Sequence, residues 1–336
     1  MIKRGNHLSA RKPRINADTL RMNYKKEVER GWMLPITVRC LKKMKGAAVI
    51  PVGVHTQHTI DENGNRKIKR RTTHDASFPP PSSLSVNDRM DRDMLNECFY
   101  GHCLLRVLHK IQRMRIRHPK LRILLLKIDL DAAYRRLHVK AAMALLTITI
   151  INEIAYILLR LPFGVANGPN DYSIISEPIF DLTNDILGDD TFDPNTIHSP
   201  IQSKLEKLDE TLKRGDPFGE ARPLIVDVPF HYAAADGYID DIITMVVDLD
   251  DWVWKAINAA PLAIHSLFRP TDTDDPIPRD ETISTRKLKG EGTPSERKTI
   301  LGWLIDTRTF RIYLPKEKMI DWRYSIRKIL ETHEDT

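Results

Sequence analysis

Apolar and polar positions along this 336-residue chain follow two different periods, and the changes between them mark its elements. Two apolar runs, the second of them β-branched, read as buried strands. LRILLLKI (121–128) is a central strand ending in Asp129, and IITMVV (242–247) follows the adjacent carboxylates Asp240 and Asp241 in AADGYIDDIITMVVDLD. Residues 47–76 read as a hairpin, because Asn63-Gly64 accepts the positive φ of a tight turn. LLTITIINEIAYILLRLP reads as a second hairpin turning at Asn152-Glu153, and KTILGWLIDTRTFRIYLPKEK as a last one turning near Asp306-Thr307.

Helical spacing takes over elsewhere. RMDRDMLNECFYGHCLLRVLHKIQRMRIRH carries Leu95, Phe99, Leu104, Leu105, Leu108 and Ile111 at helical spacing and stops near Pro119. FGVANGPNDYSIISEPIFDLTNDILGD opens as a Gly-rich turn and continues as a helix. DWVWKAINAAPLAIHSLF is a helix with an Asp N-cap at Asp250 or Asp251. FPPPSSLSVND and RPTDTDDPIPRDE are loops. A polar surface insertion spans roughly Gly188 to Arg222, and within it SPIQSKLEKLDETLKRG has the pattern of a short amphipathic helix.

Composition narrows the class. Hydrophobic residues at 41% and charged residues at 29% describe a soluble globular chain, and the longest apolar stretch, Ala142 to Leu161, is interrupted by Asn152 and Glu153. The N-terminus has no apolar core of the secretory kind, so a cytoplasmic or nuclear location with no membrane partner is expected. Cys40, Cys98 and Cys103 are too few for a disulfide framework and read as reduced, mostly buried thiols. The net charge of +7 favours a polyanionic partner, with the cations concentrated in LKKMK and NRKIKRR. No Ser-His-Asp order, P-loop or dinucleotide fingerprint is present, and DLDAAYRRLHVK lacks the Gly and closing Glu of a calcium loop.

Two carboxylate sites then stand out, KIDLDAAY and YIDD, each reached through an apolar strand. Taken alone, an Asp pair fits a simple turn equally well. If the two strands are antiparallel neighbours, about 4.8 Å apart, Asp129 and Asp240 face a common point. Like charges that close need a counter-ion, and magnesium suits hard oxygen ligands and phosphate substrates. Two such ions about 4 Å apart support in-line phosphoryl transfer, with further positive charge from the basic hairpin. Asp131, two residues past Asp129, is not counted as a ligand.

These residues resemble the reverse transcriptases of retrotransposons. LLLKIDLDAAYRRLHV resembles the first palm motif, an Asp followed five residues later by an aromatic: Asp129 and Tyr134. RLPFGVANGP resembles the second motif, GYIDDIITMV the third, and TILGWLIDTRTFRIYLP the primer-gripping hairpin. KRRTTHDASFPPPSSLSVND resembles the fingers segment, and its pattern is closest to DIRS-type retroelements. The motifs run in family order from about Lys67 to Lys318.

The resemblance implies an α+β polymerase right-hand fold: a basic N-terminal extension (1–46), fingers (47–120), a palm (121–320) whose antiparallel sheet is backed by helices and which carries the insertion at about 188–222, and the start of a thumb or connection (321–336), with the thumb largely missing. It implies template-directed deoxynucleotidyl transfer onto a primer 3′-hydroxyl with two magnesium ions, or manganese in their place. Asp129, Asp240, Asp241 and the Leu130 carbonyl would hold metal. Lys69 and Arg71 would hold the incoming triphosphate, since Arg binds phosphate bidentately. Tyr134 would exclude a 2′-hydroxyl; Phe163 and Gly164 would lie against nucleotide and template, with Gly168 permitting close approach. Tyr238, Ile239, Leu301, Gly302 and Trp303 would contact primer and template, while Lys287, Lys289 and Lys298 compete as the proton donor to pyrophosphate. His74 reads as structural. The implied partners are an RNA or DNA template with primer, deoxynucleoside triphosphates, and other retroelement domains or a second chain supplying a thumb. A catalytically silent relic or domesticated nucleic-acid-binding protein stays open as the alternative; an RNA-templated RNA polymerase is opposed by the bulk of Tyr134.

Overall fold

The computed structural model describes residues 6–60, 66–79, 83–95, 98–193, 232–276 and 279–332. In chain order the elements are α1 (Arg14–Glu29), β1 (Met33–Thr37), α2 (Val38–Leu41), β2 (Val52–Ile60), β3 (Arg66–His74), α3 (Cys103–Arg117), β4 (Ile123–Asp129), α4 (Ala141–Ala144), β5 (Thr149–Ile151), β6 (Ile154–Leu158) and α5 (Gly168–Gly188). After the insertion come β7 (Ala233–Tyr238), β8 (Asp241–Val247), α6 (Trp252–Leu267), α7 (Thr285–Glu291), β9 (Arg297–Ile300), β10 (Trp303–Asp306), β11 (Arg311–Tyr313) and α8 (Lys316–Thr332). The result is a mixed helix and sheet protein whose named strands all pair antiparallel. The expected insertion falls mostly on residues 194–231, which, with the helix anticipated there, lie outside the described residues. Among the described residues no helix is long and apolar enough to cross a membrane.

The chain divides into two compact units. The first contains residues 1–98 and 132–174. Its sheet has the order β1-β6-β5, and the β5–β6 turn is the Asn152-Glu153 pair, both residues at positive φ (48° and 65°) as a two-residue hairpin demands. β2 and β3 form a separate two-stranded ribbon, continuous in register from Val52↔His74 to Ile60↔Arg66; Asn63-Gly64 lies outside the described residues. The first 46 residues, read only as a basic extension, supply α1 and β1. Leu20 and Tyr24 of α1 pack with Met33, Val52, Val54 and Leu158 in one core cluster. The buried stripe of α1 is Asn16, Leu20 and Tyr24, one polar residue in three, which left little apolar periodicity to read.

The second unit contains residues 99–131 and 175–336. Its main sheet has the order β4-β8-β7, so β8 rather than β4 is central. Among the described residues, the other edge of β4 is met by the single bridge Leu125↔Ser295, by the Ser284 N–H bond to the Asp129 carbonyl and, just past the strand end, by the bridge Leu130↔Ile283. α3 lays Cys103, Val107, Ile111 and Met114 onto the sheet with Ile123, Leu125, Ile243, Met245 and Val247. α6 is buried along nearly its whole length and packs on β8 and β4. Asp251 takes the N-cap position of α6 without a side-chain capping bond.

Four expectations need correction. The helix before Pro119 begins only at Cys103; short 3-10 turns at Asn87–Arg89, Arg92–Met94 and Phe99–His102 precede it. The last hairpin is a three-stranded meander, β11-β10-β9, with an extra two-residue turn at Leu301-Gly302, where both φ values are positive (47° and 84°). A short helix, α7, lies between the RPTDTDDPIPRDE loop and the last hairpin, in residues to which the pattern assigned no element. Of the three free thiols only Cys103 is buried, while Cys98 is half-buried and Cys40 exposed.

Candidate active site

Three carboxylates meet at one end of the β4-β8-β7 sheet, because register and turn length leave them no alternative. β4 and β8 pair so that Asp129 lies directly opposite Asp241. β7 and β8 pair through Tyr238↔Asp241, so Ile239 and Asp240 are the two residues of a tight hairpin turn. That turn needs a left-handed first residue, and Ile239 takes φ 59°, a costly choice for a β-branched side chain. Next to it, a Cβ on Gly237 would overlap the Phe180 ring, so strand and α5 can approach closely only with glycine there.

Ligand oxygens of Asp129, Asp240 and Asp241 all lie within 4.8 Å of one another. Burial, followed by the charge of Asp129, raises the Asp240 pKa. Asp241 is pushed up to about 6 by burial together with Asp240 and Asp129, against the opposing pull of Lys127. Three hard oxygen donors, crowded until two of them resist ionising, are the donor set that a divalent magnesium or manganese ion satisfies. The residues present therefore fit such an ion. Around Leu130, the Leu130 N–H donates to the Asp240 carbonyl at 3.4 Å; the Ser284 N–H donates to the Asp129 carbonyl, and the Asp131 N–H to that of Thr282. Asp131 does not join the cluster.

Of the cations that face these carboxylates, the sequence offered Lys287 as one of three candidates and missed Lys127. Lys287 Nζ stands 2.6 Å from Asp129 Oδ2, and Lys127 Nζ stands 3.1 Å from Asp241 Oδ1 and 2.9 Å from Glu291 Oε2. Lys287 and Glu291 arrive on α7, whose polar, Gly-containing sequence gave no helical period. Lys298, by contrast, donates to the backbone carbonyls of Glu291 and Thr293, and burial lowers its pKa to about 8. Lys287 is thus the candidate that reaches the cluster; the side chain of Lys289 lies outside those described.

A second buried Asp in the same hairpin is handled differently. Asp236, on β7, has a side chain only 5% exposed; it accepts a bidentate pair from Arg106 at 2.9 and 2.7 Å and a third bond from Lys110 at 3.2 Å. Burial alone would raise its pKa, yet the Arg106 bonds and the Lys110 charge hold it below the usual carboxylate range. Tyr238 packs edge-on against Tyr100, with ring centroids 5.3 Å apart. Leu301 and Gly302 form the tight β9–β10 turn, and Trp303 begins β10, partly exposed.

The remaining residues singled out from the sequence lie in the first unit. Lys69 and Arg71 are exposed and, two residues apart, share one face of β3. The opposite face is engaged by α1: Arg70 Nε donates to Asn16 at 3.1 Å, Asn23 donates to Thr72 at 3.1 Å, and the Tyr24 hydroxyl pairs with His74 Nε2 at 3.3 Å. Burial, then Arg135, lowers the His74 pKa to about 3, the behaviour of a packed imidazole. Tyr134 is 7% exposed and stacks on Phe163 at 4.8 Å; an ideal Cβ on Gly168 would sit 3.4 Å from its ring. Gly164 has φ 102°, and a Cβ there would overlap the His74 carbonyl. Asn87 clips this loop: its Nδ2 donates to the Gly164 carbonyl at 3.0 Å and its Oδ1 accepts from the Ala166 N–H at 2.9 Å.

No protein-family model and no curated protein matches this sequence. Among solved structures the chain is similar to the foamy viral protease-reverse transcriptase dRH in complex with double-stranded DNA, with 13% identity, 88% of this chain and 34% of that chain covered, and a TM-score of 0.46. It is similar to the foamy viral protease-reverse transcriptase in complex with double-stranded DNA at 11% identity, covering 94% of this chain and 44% of that one, TM-score 0.46. For the complex with an RNA/DNA hybrid the values are 12%, 90%, 27% and 0.45. The chain spans less than half the length of each of these proteins.

Proposed function

We propose that this chain is an RNA-directed DNA polymerase of the retrotransposon type, with a pattern closest to the DIRS lineage, that extends a primer 3′-hydroxyl with deoxynucleoside triphosphates. The observation that carries the reading is the convergence of Asp129, Asp240 and Asp241 at the end of a rigid sheet, in a chain whose other motifs follow the order of that family. In this reading the second unit's sheet is the palm, the β2–β3 ribbon belongs to the fingers, and a second chain or further retroelement domains supply a thumb.

Asp129, Asp240 and Asp241, with the Leu130 carbonyl, would hold magnesium, or manganese in its place. When bound, such ions activate the attacking hydroxyl and stabilise the leaving oxygen. The protein's own residues position the reactants. Lys69 and Arg71 hold the triphosphate, Arg71 by the bidentate geometry that a guanidinium offers phosphate. Tyr134 excludes the 2′-hydroxyl, and its stack on Phe163 fixes the ring. Phe163 and Gly164 face nucleotide and template, while Tyr238, Ile239, Leu301, Gly302 and Trp303 hold the primer. Lys287 Nζ is the donor assigned to the departing pyrophosphate, supported by its 2.6 Å contact with Asp129.

The test is primer extension by the purified chain on poly-rA with an oligo-dT primer and magnesium, beside Asp240→Asn. Extension by the unmodified chain and none by the variant is expected. No extension, with salt-sensitive template-primer binding retained, would instead favour a silent nucleic-acid-binding protein.

A further inference from the structure

Lys127 is the one cation of the carboxylate site that the sheet itself fixes. It rises from β4 two residues before Asp129 and on the same face, with Ile243 across the strand pair and buried Leu125 and Met245 behind it. Its side chain is 13% exposed and lies between two carboxylates, Asp241 and Glu291. Lys287 differs on each point: it is 36% exposed, stands on a short helix, and meets the cluster through Asp129. A lysine with solvent beside it can swing away when a cation arrives. A lysine walled in by sheet and core, and held from behind by Glu291, cannot.

We infer that Lys127 is a positioning residue, a built-in counter-charge that occupies Asp241 and sets the affinity of the site for divalent cations below that of three free carboxylates. The inference rests on the metal-binding part of the proposed function and deepens it. Asp129 and Asp240 become the principal ligands, and Asp241 a secondary one. Such a site binds its ions weakly until substrate phosphates complete the shell, the usual way magnesium is held.

The experiment is calorimetric titration of the chain with Mn²⁺ alone, without nucleotide or nucleic acid, comparing the unmodified protein with Lys127→Met, Lys127→Arg, Glu291→Gln and Asp240→Asn. Removing a fixed unit charge beside a divalent site is expected to tighten Mn²⁺ binding about tenfold in Lys127→Met, while Lys127→Arg stays near the unmodified value. In chelator Lys127→Met melts at a lower temperature, and Mn²⁺ recovers the loss. Glu291→Gln, which leaves Lys127 wholly to Asp241, weakens Mn²⁺ binding. Equal or weaker binding by folded Lys127→Met overturns the inference; should that variant not fold in chelator, unchanged or tighter binding by Glu291→Gln does so. If the unmodified chain binds no Mn²⁺, or Asp240→Asn binds it equally well, the metal reading fails first and the role of Lys127 falls with it.

Discussion

Replacing Asp241 by Asn asks whether the three carboxylates are held together against their own repulsion. Burial, with Asp240 and Asp129 beside it, lifts Asp241 from 3.8 to about 6. A folded pKa above the unfolded one means that the protonated form favours folding; that contribution is present below pH 4 and is lost as the pH rises through about 6. Above that range the metal-free protein carries the cost of a crowded charge. A shift of about two units, with the opposing pull of Lys127 already inside it, corresponds to about 3 kcal/mol, so a net gain of up to about 3 kcal/mol is expected at pH 8. Urea denaturation in chelator at pH 5 and pH 8 measures it. The variant should be the more stable at pH 8, and by about half as much at pH 5, where Asp241 is largely protonated in the fold but not in the unfolded chain. Magnesium should then stabilise the unmodified protein more than the variant and narrow the gap. A variant no more stable at pH 8, or a gap that ignores pH, would refute the account of the cluster as mutually repelling carboxylates.

Three further outcomes are expected. Gly164→Ala forces a side chain into φ 102° against the His74 carbonyl, and should cost about 2–4 kcal/mol in urea denaturation; a loss below about 0.5 kcal/mol would show that the loop relaxes freely. Asp236→Ala leaves Arg106 and Lys110 facing each other without their shared carboxylate, and should cost about 2–3 kcal/mol, where a neutral result would mean that solvent replaces the partner. Tyr134→Ala should raise ribonucleotide incorporation relative to deoxynucleotide incorporation in primer extension, and an unchanged ratio would remove Tyr134 from the discrimination of the sugar.

What was legible in the sequence follows from how local each feature is. Asn152-Glu153 could be placed as a turn because two apolar strands flank it, and Asp129, Asp240 and Asp241 could be grouped because antiparallel pairing turns two strand ends into neighbours. Lys127 escaped, since it looked like an ordinary charged residue interrupting a strand. Lys287 was one of three candidate lysines that nothing local could separate, because it and Glu291 are brought to the site by α7, whose seven residues contain too few turns for a hydrophobic period. The centrality of β8 also lay beyond reach, since strand order depends on pairing between segments more than a hundred residues apart. In α1 the buried stripe includes Asn16, a polar residue satisfied by a tertiary bond to the Ser9 carbonyl, so the burial is real but is not written in hydrophobicity.

The β7–β8 hairpin holds two opposite treatments of a buried carboxylate within six residues, and the contrast bears on which of them is chemical. Asp236 receives a bidentate guanidinium and an ammonium, and its carboxyl is held below the ordinary range. Asp240 and Asp241 sit in the same sheet with less compensation, and both are raised. A protein selected only for stability would have treated the turn as it treated Asp236, since α3 shows that this chain can deliver cations to that hairpin. Instead the turn keeps its repulsion, adds a left-handed Ile239, and sets one fixed lysine beneath Asp241. Strain and uncompensated charge persist together where the surrounding structure overdetermines them. Here a paired sheet supplies that rigidity, and under the proposed function a bound cation would relieve the charge, so that relief would contribute to the free energy of cation binding.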